Sequence, residues 1–162
     1  MNILLLVHGP NLNFLGRRDP KHYGNITLPA LEKTVKAEAK KHGFVVKSFQ
    51  SNHEGELIDF IQKGAASAKA MIINPGAFTH YSFALHDAIV DAELPTVEVH
   101  LSDIKKREEW RRTSVTAPAC IAQISGKKEL SYVEAVQLLV KKLKLKTSAK
   151  TATKKSSNTS AK

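Results

Sequence analysis

Two small groups of residues could together move protons. The first is Arg17-Arg18-Asp19-Pro20-Lys21-His22-Tyr23, where arginines precede a phenol by a few positions. A tyrosine hydroxyl is a weak base, and a neighbouring guanidinium favours its phenolate. An arginine and a tyrosine in one loop therefore make a sensible proton acceptor. The second group is Glu98-Val99-His100. Residues two apart on a strand share a face, so the Glu98 carboxylate can hold or polarise the His100 imidazole and create a second proton carrier. Around these stand further polar side chains: His8-Gly9-Pro10-Asn11-Leu12-Asn13, Gln50-Ser51-Asn52, Asn74-Pro75-Gly76-Ala77 followed by Thr79-His80, and Leu101-Ser102.

Most of these groups lie where a strand is expected to end. Residues 3–7 (ILLLV) and 70–74 (AMIIN) are the continuous apolar runs of parallel strands buried on both faces. Residues 44–50, 96–100 and 120–125 supply three more strands. Between them come helices. Leu28, Leu31 and Val35 fall at helical spacing behind Thr27 as N-cap, with Gly43 as the stop. Leu57, Ile58, Ile61 and Ala65 follow a capping box of Ser51 and Glu54. A short helix covers 82–91, and a turn of helix falls around Trp110 within 103–112. Val133, Val136, Val140 and Leu143 line a last helix behind a capping box of Ser131 and Glu134. Strands alternating with helices imply right-handed crossovers and a single parallel sheet covered on both sides. The expectation is an α/β, flavodoxin-like three-layer sandwich whose five-stranded sheet has the order 2-1-3-4-5. Such sheets bind ligands at the carboxyl ends of their strands, near strands 1 and 3. The long polar connection from His8 to Thr27 is unusual in so small a domain and reads as a lid.

Composition narrows the class. At 162 residues, 42% hydrophobic and 25% charged, the chain is expected to be one soluble globular domain. The formal charge is +10, but residues 141–162 hold eight lysines and no acid, which leaves +2 for the first 140 residues. The reading is a catalytic domain over 1–145 and a Lys-rich, disordered tail over 146–162. That tail invites a nucleic-acid reading by counterion release, yet no recognition motif or stacking platform accompanies it, so no nucleic-acid partner is expected. No apolar run is long enough to span a bilayer, and neither a membrane partner nor a signal peptide is expected. The lone Cys120 excludes an intrachain disulfide and a cysteine zinc site, and fits a cytoplasmic setting.

Taken in consistent order from about residue 3 to 143, the motifs resemble those of type II 3-dehydroquinate dehydratases. The match runs through Gly9-Pro10-Asn11-Leu12-Asn13, Leu15-Gly16, Arg18-Asp19-Pro20 and Tyr23-Gly24. It continues through Gln50-Ser51-Asn52, Glu54-Gly55, Asn74-Pro75-Gly76, Thr79-His80, Glu98-Val99-His100-Leu101-Ser102, Arg107-Glu108-Glu109 and Arg111. The resemblance implies a lyase of the shikimate pathway that converts 3-dehydroquinate to 3-dehydroshikimate by anti loss of water, with no cofactor and no metal. It implies a homo-oligomer, a dodecamer of four trimers. Tyr23 matches the proton acceptor, His100 the proton donor, and Arg18 the lid arginine that stabilises the transition state. Asn11 matches the residue that holds a water against the enolate, and Glu98 orients His100. Asn74, His80, Leu101, Ser102 and Arg111 match substrate-binding positions, and Asp87 an acid that reaches a neighbouring subunit's site. The chain departs from the commonest pattern at His8, where many members carry Asn. Arg18, not Arg17, takes the lid role because it directly precedes Asp19-Pro20.

Plainer readings stand beside these. Arg107 and Arg111 with Glu108 and Glu109 between them read by default as a salt-bridged surface helix. Asp87 reads as a solvated face residue, and Trp110 and Cys120 as packing residues. His22, His42, His53 and His86 carry no argument for catalysis. The rival function is a flavodoxin-like module that binds a nucleotide or flavin without catalysis. Pro10 weighs against it, because it removes an amide from the loop that would cradle a phosphate.

Overall fold

The continuous apolar run of β1 (Asn2–His8), buried on both faces, organises the molecule. The computed structural model describes the backbone of residues 1–157 and the side chains of residues 1–144. β1 pairs in parallel with β2 (Phe44–Gln50) on one side and β3 (Ala68–Asn74) on the other. β4 (Thr96–His100) and β5 (Ala122–Ser125) complete a five-stranded parallel sheet in the order β2-β1-β3-β4-β5, as expected. Leu4 and Leu6 face one core with Leu31, Val35, Tyr132, Val136 and Leu139. Ile3, Leu5 and Val7 face the other with Leu57, Ile61, Leu85 and Ile89. The first core sits under α2 (Leu28–Lys41) and α5 (Leu130–Ser157), and the second under α3 (Glu54–Ala65) and α4 (Phe83–Asp91). These are the three layers of the expected sandwich.

Several local expectations need correction. β5 begins at Ala122 and not at 120. The N-cap of α3 is His53, and Ser51 lies two residues earlier, where its Oγ accepts from the His53 amide at 2.8 Å and donates to Glu56. Ser131 lies inside α5, and its Oγ accepts from the Lys127 amide. The buried face of α5 is Tyr132, Ala135, Val136, Leu139 and Val140, so Val133 is rotated off it. Residues 103–112 form two 3-10 turns, Ile104–Lys106 and Glu109–Arg111, with Trp110 exposed rather than packed inside. The physical reason is one of scale. A cap is worth about 1 kcal/mol, whereas each buried leucine such as Leu31 or Leu139 is worth about 2–5 kcal/mol, so packing sets helix rotation. α5 runs from Leu130 to Ser157. The tail expected at 146–162 lies wholly outside the described side chains, and 158–162 lie outside the described residues altogether.

At the carboxyl ends of β1 and β3 two loops meet backbone to backbone. A Cβ on Gly9 would stand 2.1 Å from the Pro75 carbonyl oxygen, so no other residue fits there. Gly76 has φ +59, and a Cβ there would stand 2.9 Å from the Pro10 carbonyl oxygen; the Gly9 amide donates to the Asn74 carbonyl at 2.8 Å. This lock fixes where Asn11 and Asn74 emerge.

His8, at the end of β1, is wholly buried, and its ring nitrogens make no hydrogen bond. Burial lowers its pKa to about 4, against the raising effect of Glu32 at 3.9 Å and with a further lowering from Lys36. The folded protein therefore binds this proton less well than the unfolded chain. Its contribution to stability is complete above about pH 6.5 and is lost as pH falls towards 4. The total is about 3 kcal/mol for a shift of this size. In urea unfolding at pH 7 and pH 4.5, His8→Asn is expected to lose distinctly less stability between the two than the parent. An equal loss in both would remove His8 as the cause.

Candidate active site

The Asp19-Pro20 pair turns the long connection after β1 into a lid with internal structure. Pro20 opens a one-turn helix, α1 (Pro20–Tyr23), and the Asp19 carboxylate caps it by accepting from the Lys21 amide at 2.9 Å. The turn folds Tyr23 back onto Arg18. Arg18 Nη2 donates to Tyr23 Oη at 2.8 Å, and its guanidinium lies 3.8 Å from the centre of the phenol ring. A second cation arrives from the 3-10 segment after β4. Arg107 Nη1 donates to the same oxygen at 3.4 Å. Burial lowers the Arg18 pKa, Tyr23 works against this, and Arg111 and Arg107 add to the lowering. Arg107 is raised despite its burial, because Tyr23 and Glu108 favour its charged form. Two guanidinium groups thus converge on one phenol oxygen.

Opposite the lid, His100 ends β4. Its Nε2 donates to Glu98 Oε1 at 2.7 Å, across the i, i+2 spacing expected from the strand. Glu98 is 0% exposed and collects hydrogen bonds from four further side chains. Thr79 donates at 2.8 Å, Ser114 at 2.9 Å and Gln123 Nε2 at 2.8 Å, and the Thr116 hydroxyl donates as well. Burial alone would push this carboxyl up, but His100, Thr116 and Gln123 outweigh it and hold its pKa at about 2. A charged carboxylate is thereby fixed behind the imidazole. The second ring nitrogen, Nδ1, is left to exchange a proton with a ligand.

One cleft of about 570 Å³, counted out to its open mouth, joins the two halves. Asn11, Arg18, Tyr23, Asn74, His80, His100, Leu101, Ser102 and Arg111 all line it. Asn11 takes a left-handed conformation (φ 65), which asparagine tolerates, and its amide donates to Asn52 Oδ1 at 2.9 Å. His80 Nδ1 bonds the Thr113 carbonyl at 2.7 Å. Burial lowers the His80 pKa, Thr113 opposes this, and His100 and Arg111 add to the lowering. Arg111 Nε lies 3.2 Å from Glu108 without a hydrogen bond, and its guanidinium packs 3.9 Å over the Trp110 ring. Glu98 stands behind His100 rather than in the lining, and Asp87 is not brought to this cleft. It stands exposed on α4. Sequence reading missed Arg107 as a partner of Tyr23, Tyr132 beneath Asn74, and the Thr79, Ser114, Thr116 and Gln123 set around Glu98. The nucleotide-module rival loses ground, since the Gly9 and Asn11 amides are spent inside the protein. Among the described residues, no group of three or more His, Cys, Asp or Glu could hold a metal ion, and no helix is long and apolar enough to cross a membrane.

Comparison with known proteins bears directly on this arrangement. The family model described as dehydroquinase class II matches residues 1–140. The chain belongs to the class II dehydroquinase family. The 3-dehydroquinate dehydratase of Caldicellulosiruptor bescii is 49% identical over 140 residues, covering 86% of this chain and 97% of that protein. That of Clostridium perfringens is 50% identical over 142 residues, covering 87% and 99%. Among solved structures, the type II dehydroquinase of Butyrivibrio crossotus superposes with a TM-score of 0.83 at 41% identity, covering 85% of this chain and 97% of that one. The dehydroquinase match ends near residue 140, inside α5.

Proposed function

We propose that this dehydroquinase family member is a hydro-lyase that removes water from 3-dehydroquinate to give 3-dehydroshikimate, a step of the shikimate pathway. The observation that carries the proposal is the pairing, across one cleft, of a phenol held by two arginines with an imidazole backed by a buried carboxylate. In this reading the Tyr23 phenolate takes the proton α to the ketone. The enolate that forms is stabilised through a water held by Asn11, and Arg18 stabilises the charge on the way. The enolate electrons then expel the C1 hydroxyl, which takes a proton from His100 and leaves as water. Glu98 keeps the imidazole oriented and its charge balanced. The α proton is weakly acidic, so base, enolate stabiliser and acid must be in place together. Asn74, His80, Ser102, the backbone at Leu101 and Arg111 bind the anionic, hydroxyl-rich ring.

Assembly and setting belong to the same proposal. Tyr81 and Phe83 are 59% and 67% exposed beside α4, where Asp87 also stands. That surface suits subunit contacts, with Asp87 reaching a neighbouring site in a dodecamer of four trimers. A cytoplasmic location fits a soluble enzyme of this kind.

The lid arginine gives a specific test. Arg18 is half-buried and bonded to Tyr23, whereas Arg17 is exposed. Arg18→Ala is expected to lower kcat by about 10²-fold or more, and Arg17→Ala to leave it near the parental value. Initial rates with 3-dehydroquinate decide this, and the reverse order would overturn the assignment of the lid.

A further inference from the structure

Asn74 is held from below by a residue of α5. On the α2/α5 side of the sheet, Tyr132 is 0% exposed and rises from the first turn of α5 to the end of β3. Asn74 Nδ2 and Tyr132 Oη are 2.8 Å apart, across 58 residues of sequence. The other end of the same carboxamide is set by the Gly76 amide, which donates to Asn74 Oδ1 at 3.1 Å. A backbone N–H can only donate, so the carboxamide oxygen must face Gly76 and the NH2 group must face Tyr132. The tyrosine oxygen is therefore the acceptor. Burial pushes the Tyr132 hydroxyl well up, against the lowering effect of Asn74, so it stays un-ionised. The His8 ring, tilted at 34° with centroids 5.9 Å apart, packs against the phenol from β1.

With both ends engaged, the carboxamide has one orientation. One N–H of Nδ2 is committed to Tyr132, and the other remains for a ligand in the cleft that Asn74 lines. We propose that Tyr132 is a positioning residue for substrate binding, acting through Asn74. This rests on Asn74 binding the substrate, as read above. Tyr132 touches no reacting atom in this account. It sets which face of Asn74 the substrate meets.

Tyr132→Phe tests this, because the ring that fills the core remains and only the acceptor oxygen is lost. The freed Asn74 N–H borders the cleft and can be satisfied by solvent. The variant is expected to keep the parental melting temperature to within a few degrees and to raise KM for 3-dehydroquinate about tenfold at unchanged kcat, the order expected for one compromised hydrogen bond. Asn74→Ala is expected to raise KM at least as much. Adding Tyr132→Phe to Asn74→Ala is expected to change KM no further, since the two act as one unit. A parental KM in Tyr132→Phe, a fall in kcat at parental KM, or a full additional effect on the Asn74→Ala background would each overturn the proposal. Turnover by the parent, measured first, tests the functional reading separately. An active parent with a Tyr132→Phe variant of parental KM removes the Tyr132 role and leaves the dehydratase standing.

Discussion

Tyr23→Phe is expected to lower kcat by about 10³-fold or more while substrate binding persists. The ring stays against Arg18, which lies 3.8 Å from its centre, so the lid keeps its shape. Only the oxygen is lost, and with it the atom on which Arg18 and Arg107 converge at 2.8 and 3.4 Å. Both arginines border the cleft and can turn to solvent or to the anionic substrate, so no buried cation is stranded. Steady-state kinetics and calorimetric binding to the unreacting variant separate the two quantities. Full activity in Tyr23→Phe would contradict the assignment of the base, and loss of binding would show that the hydroxyl holds substrate rather than taking its proton.

The second large effect is at Glu98. Glu98→Ala strands the hydrogen-bond donors of His100, Thr79, Ser114, Thr116 and Gln123 in a fully buried site. The expected cost is about 3–5 kcal/mol of stability, with a fall of about 10²- to 10⁴-fold in kcat. Glu98→Gln distinguishes the two losses. Its oxygen can still face His100 and Gln123, and its NH2 group can donate to the Thr116 and Ser114 hydroxyls, which are able to accept. Stability is therefore expected to recover in large part, while kcat stays low because the charge behind His100 is gone. Urea unfolding and initial rates on the two variants check this. A Glu98→Gln enzyme with parental kcat would show that the carboxylate is structural only. The same group makes the fold acid-sensitive. Its pKa is held at about 2 against an ordinary 4.5, so its contribution is present above about pH 4.5 and is lost as pH falls through 2.

The sheet was legible because its information is local. Short apolar runs such as ILLLV and AMIIN, bounded by turn residues, read as strands buried on both faces, and their alternation with helices leaves few topologies. Arg18 with Tyr23, and Glu98 with His100, were legible for the same reason, each pair being joined by a short spacing. The carboxylate cage was not. Thr79, the Ser114–Thr116 loop and Gln123 are three separate stretches, and no pattern in any one of them points at Glu98. Arg107 looked like one member of a surface ion-pair run, and it does pair with Glu108, but the segment is a 3-10 turn that aims it at the lid. Tyr132 was hidden by a rotation of the last helix. Reading Val133 as buried places Tyr132 outside, whereas packing against β1 and β3 turns Tyr132 inward. Asp87 was carried by resemblance alone, and its own chain gives it no partner at the cleft.

The central claim is that this cleft eliminates water from 3-dehydroquinate without a metal. The purified protein, first treated with a chelator, is mixed with 3-dehydroquinate, and the ultraviolet absorbance of the conjugated enone product is followed. The account predicts a steady rise at a rate the chelator leaves unchanged. Folded, assembled protein that forms no enone from 3-dehydroquinate would contradict it.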